Sequence, residues 1–278
     1  MALIQSDHVF LLLVCVATFV ALCFVLRLFL KRRKQFALVG MLFVHVLTCM
    51  QFSFTTGAVV VLRAIFMNSS FDSFQSAMFY VRLIGQTNQC FVFISGAILA
   101  LDRAAILTFS LQYTKWKLNR KFVFVFLVAS LLSAGPSVAI SVILGDDSHG
   151  IFINSMMILE LLLHIVFIFQ YRKFSTKRNA ATGNRYQATA HHITLFQAAS
   201  LTAFGFVPHA IVFADKHFGD CAFVTWFSEL SDMHLWDVLE EHCFAVYVFM
   251  TSCFSLFKMT DRRQSANVVT VSIRGRNS

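Results

Sequence analysis

The chain has 278 residues, of which 58% are hydrophobic and 15% aromatic, while only 13% carry a formal charge. A soluble domain averages about 45–50% apolar and about 25% charged residues, so these figures exclude a water-soluble globule, a disordered chain and a disulfide-stapled secreted domain. The net charge of +9 is spread over short basic segments, a pattern that membrane topology produces by itself and that requires no nucleic-acid partner.

Seven long apolar runs follow one another, at residues 9–30, 36–62, 77–107, 122–144, 151–169, 193–214 and 235–257. Each is long enough to cross a bilayer as a helix, which satisfies its own backbone in hydrocarbon. The expected fold is therefore an all-α membrane protein, a seven-transmembrane helix bundle over residues 1–257 with a short basic tail at 258–278. The first eight residues carry no Lys or Arg, and the run behind them is too long for a signal-peptide core. It reads as a retained span.

Orientation follows from the breaks. Lys31, Arg32, Arg33 and Lys34 follow the first run, Lys115, Lys117, Arg120 and Lys121 the third, and Arg172, Lys173, Lys177, Arg178 and Arg185 the fifth. With the tail and with Arg27 and Arg103 at run ends, 20 of the 23 basic residues fall on one side. Basic residues stay cytoplasmic, so the N-terminus is expected outside and the C-terminus inside. On the outer side Asn68-Ser69-Ser70 forms a glycosylation sequon. Six of the seven cysteines lie inside the runs, and only Cys221 falls in an outer loop. An outer disulfide needs two thiols in the oxidising compartment, so none is expected.

The most informative local feature is Leu101-Asp102-Arg103-Ala104, at the inner end of the third run. One reading is a cytoplasmic latch, in which Asp102 and neighbouring helices hold the Arg103 guanidinium until activation releases it. The other is a polar pair at the membrane edge, with Arg103 snorkelling toward water. The position favours the latch, because the pair closes span three of seven and precedes a basic inner loop.

Seven spans, an outside N-terminus and Asp-Arg closing the third helix resemble the rhodopsin-like G-protein-coupled receptors. The short loops, the Phe-rich spans and the segment from Ala100-Leu101-Asp102-Arg103 through Tyr113 and Lys121 are similar to nematode serpentine chemoreceptors, with the srbc or srxa class as the expected subfamily. The resemblance implies a plasma-membrane protein, with a sensory cilium as one compartment, that takes a small-molecule ligand and couples to a heterotrimeric G protein without any cofactor. Phe206 and Pro208 in the sixth run resemble that family's aromatic-x-Pro hinge. The chain departs from the family at Ala104, where an aromatic residue is usual. It also has no Asn-Pro-x-x-Tyr ending the seventh run, no Asp in the second, and Met78 where a disulfide cysteine often stands.

Polar groups inside spans are expensive, so each invites a functional reading. Glu160 and His164 are four apart in the fifth run and share a helical face. They are either ligand contacts or a mutual hydrogen bond that steadies packing. Glu240 and Glu241 lie near the outer end of the seventh run, Gln86 and Gln89 on the outer third of the third, and His209 on the outer part of the sixth. Headgroup solvation or interhelical bonding accounts for these residues as well as a pocket does. Together they are the candidate lining of an outer ligand cavity.

Enzyme signatures are missing. There is no His-Glu-x-x-His, Gly-x-Ser-x-Gly, phosphate-binding glycine loop or Cys-x-x-Cys. The adjacent His191 and His192 point about 100° apart on a helix, so a shared metal is not expected. The leading reading is a chemosensory receptor rather than an enzyme. The alternatives are a seven-span ligand-gated channel or transporter, and a non-signalling partner of another receptor.

Overall fold

A computed structural model of the chain describes residues 2–31, 40–66, 72–143, 146–177, 185–208, 210–211 and 233–260. Seven long helices and one short one account for nearly all of them: α1 (Ala2–Lys31), α2 (Gly40–Phe66), α3 (Asp72–Thr108), the short α4 (Ser110–Lys115), α5 (Leu118–Ile143), α6 (Asp146–Lys177), α7 (Arg185–Ser200) and α8 (Met233–Thr260). No strand occurs among the described residues.

Six helices contain a stretch long and apolar enough to cross a membrane: His8–Lys31, Gly40–Leu62, Leu83–Thr108, Leu118–Pro136, Phe152–Phe174 and Glu241–Thr260. This is a multi-pass membrane protein by length and composition. The sixth apolar run is built differently. Regular α7 stops at Ser200, and a π-helical turn, Leu201–Phe206, follows it. In that turn the Val207 N–H bonds the carbonyl of Thr202, five residues back. Pro208 explains the change of register. It has no N–H to donate, and its ring collides with the carbonyl four residues earlier unless the helix opens.

Packing sets α3 at the centre. It touches α2, α4, α5, α6 and α7, while α1 packs on α2 and α8, and α8 on α7. The span of α3 is 83% buried and that of α5 only 11%, so α5 lies outside the ring that the other helices close. Its outward side chains, Phe124, Leu131 and Leu132, are large and apolar, as suits a surface facing hydrocarbon rather than water.

One aromatic cluster ties the bundle together. Phe244 of α8 meets Phe52 of α2 edge-on and Phe93 of α3 at a tilt, each at 4.9 Å between ring centroids. Such pairs add about 0.5–1.5 kcal/mol each beyond the area they bury. Several hydroxyls in the helices are satisfied within their own helix. Thr18, Ser53, Thr194, Ser252 and Ser255 each donate to the carbonyl four residues back, which spares hydrocarbon an unmade bond. Among the described residues Cys15, Cys23, Cys49 and Cys253 are free thiols.

Candidate functional site

Two fully buried polar clusters lie on α3. The first is at its C-terminal end. Asp102 and Arg103 are both fully buried, and Arg103 Nη2 donates to Asp102 Oδ2 at 2.5 Å. The other carboxylate oxygen, Oδ1, accepts from the Tyr113 hydroxyl. Tyr113 belongs to α4, so the short helix after α3 folds back to close over the pair. α4 ends at Lys115, and Lys117 takes a left-handed φ of 49°, which turns the chain into α5. Burial, with the Asp102 carboxylate beside it, raises the Tyr113 phenol above its ordinary value. The hydroxyl therefore stays protonated and keeps donating.

The burial of the pair does not fit the snorkelling reading. A snorkelling arginine would extend to the surface; Arg103 instead has no exposed surface and is held by Asp102. Ala104, where the resembled family carries an aromatic, is itself buried.

The second cluster sits two turns earlier. Gly96 and Arg103 are seven residues apart and so share one face of α3. Across from Gly96 stands Glu160 of α6. Its Oε1 lies 3.3 Å from His164 Nε2, accepts from Gln197 Nε2 of α7 at 3.0 Å, and accepts from the Tyr247 hydroxyl of α8 at 3.3 Å. Gln197 Nε2 also donates to the Tyr247 oxygen at 3.2 Å. All four side chains are at most 1% exposed. Gly96 makes the approach possible, because a Cβ there would stand 2.5 Å from Glu160 Cδ and 2.8 Å from Gln197 Nε2. Four helices thus meet on one carboxylate.

A further polar seam joins α2 to α3. His45 Nδ1 and Thr48 Oγ1 each lie 2.8 Å from Ser95 Oγ. Toward the other end of the same seam, Gln51 Nε2 donates to Asn88 Oδ1 at 2.9 Å, and Asn88 Nδ2 donates to Thr55 Oγ1 at 3.0 Å. Asn88 and Ser95 are seven apart and face α2 together.

The candidate residues divide accordingly. Glu160 and His164 come together as their spacing predicts, and both open readings of the pair remain compatible with the contact. Gln86 and Gln89 are half-buried and lie about 15 Å and about 10 Å along α3 from Gly96. Asn88, one residue from Gln89, makes the interhelical bonds instead. Glu241 is half-buried, about 9 Å along α8 from Tyr247. Glu240 falls within α8, but its side chain is outside the described residues, as are His209 and Asn68. Phe206 closes the π turn and Pro208 follows it, both half-buried. His191 is buried and stacks on Phe167 at 5.8 Å, while His192 is exposed; the adjacent rings diverge.

Sequence reasoning missed Gln197, Tyr247, Gly96 and His45. Gln197 had a signal, since it is the single side-chain amide in the run 193–214. Tyr247 and Gly96 carried none. Compared with known proteins, the chain matches no family model and no curated protein sequence.

Proposed function

We propose that the chain is a chemosensory receptor of the plasma membrane, with its N-terminus outside, that binds a small extracellular ligand and activates a heterotrimeric G protein. The observation that carries this reading is the buried Asp102–Arg103–Tyr113 latch. A guanidinium sequestered at the end of the central helix, beside the exposed basic residues Lys115, Lys117, Arg120 and Lys121, is a stored contact for a partner at that face. Ligand binding favours the arrangement in which the latch is open, and so shifts a pre-existing equilibrium. The π turn before Pro208 supplies a hinge just after α7, close in sequence to Gln197 of the Glu160 cluster. Gln86, Gln89, His209, Glu240 and Glu241 belong to the ligand side. Nucleotide exchange takes place on the partner, so the chain is not itself an enzyme.

The test is ligand-evoked G-protein activation across a panel of small odorants, comparing the native chain with Arg103→Ala at matched surface expression. Loss of the response in the variant is the expected result. An unchanged response removes the latch from the mechanism. Arg103→Lys controls for folding, since it keeps a positive charge beside Asp102 but not the planar guanidinium.

A further inference from the structure

The link between the spans of α3 and α5 carries a surface that the buried clusters do not use. The α3 span ends at Thr108 and the α5 span begins at Leu118. Between them α4 is about 9 Å long, far short of a hydrocarbon core of about 30 Å, so the link stays at one membrane face. Its place is peripheral, because α5 lies outside the ring and its span is only 11% buried. Tyr113 turns inward to Asp102. Phe109 and Trp116 turn outward, 46% and 48% exposed, with ring centroids 6.5 Å apart. Lys115, Lys117, Arg120 and Lys121 are exposed beside them, and no Asp or Glu stands between Phe109 and Lys121. None of the four cations forms an ion pair among the described residues. Topology accounts for basic residues in such a link, but not for two exposed rings held together among them. Rings at headgroup depth with cations beside them suit a bilayer surface that is negatively charged.

We propose that this link is a binding site for anionic phospholipid of the leaflet it faces. Phe109 and Trp116 enter between the headgroups, and the four cations draw an acidic phospholipid such as phosphatidylserine to the edge of the bundle. A zwitterionic lipid offers the rings the same depth but gives the cations no net charge, so it is not an equal occupant. The site does not rest on the receptor reading above; on that reading, lipid and partner meet the same cations.

The full chain in phosphatidylcholine nanodiscs, with a minor fraction of the lipid replaced by brominated phosphatidylserine or brominated phosphatidylcholine, tests this. Bromine quenches tryptophan fluorescence on contact, and the difference between the native chain and Trp116→Phe isolates the signal of Trp116. Phosphatidylserine is expected to associate there about fivefold more strongly than phosphatidylcholine, roughly the worth of one basic residue at an anionic surface. The preference should fall toward parity in molar salt, which screens exposed charge. It should vanish when Lys115→Gln, Lys117→Gln, Arg120→Gln and Lys121→Gln are combined. The salt series on the native chain stands even if that variant fails to fold. Equal quenching by the two lipids overturns the proposal, as does a preference that survives molar salt or the four substitutions. Absence of Trp116 quenching by either lipid overturns it too, and places the link in water or against protein.

Discussion

On the proposed reading, Tyr113 restrains the release of Arg103 by Asp102. Its hydroxyl occupies the carboxylate oxygen that Arg103 does not use, and hydrogen bonds to charged groups contribute about 1.5–3 kcal/mol. Tyr113→Phe removes that bond while keeping the ring, so it should raise ligand-independent G-protein activation by roughly tenfold, with each 1.4 kcal/mol worth a factor of ten. Basal activity no higher than native would show that the bond does not restrain the latch. The raised phenol value of Tyr113 fixes the sign of the pH dependence. Below the ordinary phenol value near 10 the group is protonated folded or unfolded, and the bond contributes fully. Above about pH 10 the unfolded chain gains by ionising and the folded one does not, so this contribution to stability falls as pH rises. Unfolding followed from pH 6 to pH 11 should show a loss at the alkaline end that Tyr113→Phe lacks.

At the scale of the element, α3 is a helix with two working faces, and its glycines report on them. Among the described residues nothing lies within 4 Å of a Cβ built at Gly85, whereas one at Gly96 runs into a carboxylate held by three neighbours. Gly85→Ala should stabilise the folded chain by about 0.5–1 kcal/mol through helix propensity. Gly96→Ala should destabilise it by about 1–3 kcal/mol, as overpacking does. Thermal melting of the two variants in one detergent checks the pair, and equal shifts would mean that α3 and α6 are not in close contact at Gly96. The apolar runs announced these helices because lipid permits little else of that length and composition. The Glu160–His164 pair was legible from its spacing. What joined it was not, because Tyr247 and Gly96 look like ordinary span residues until α8 and α3 are brought against α6. The choice of Asn88 over Gln86 and Gln89 was equally hidden, since a shift of one residue on a helix turns the side chain by about 100°. The π turn escaped for a related reason: Pro208 signals a broken register without saying how the helix resolves it.

Across the whole molecule the two buried clusters are strung on one stripe of α3, with Gly96 and Arg103 two turns apart. On the proposed reading, a ligand that draws the Glu160 cluster together would pull α6, α7 and α8 toward α3, two turns from the latch. On this account Glu160→Gln uncouples ligand from response while leaving the Arg103 latch and basal activity in place; a concentration–response curve in cells should flatten without a change in its floor. A curve superimposable on the native one would separate the cluster from signalling. The most direct test of the account is nucleotide exchange on a purified heterotrimeric G protein, measured with the native chain, Tyr113→Phe and Arg103→Ala in nanodiscs. The account predicts faster exchange with Tyr113→Phe than with the native chain, and none above background with Arg103→Ala. Exchange at the background rate with all three, alongside a ligand-gated current across a bilayer that Glu160→Gln abolishes, would contradict it and identify the chain as a channel.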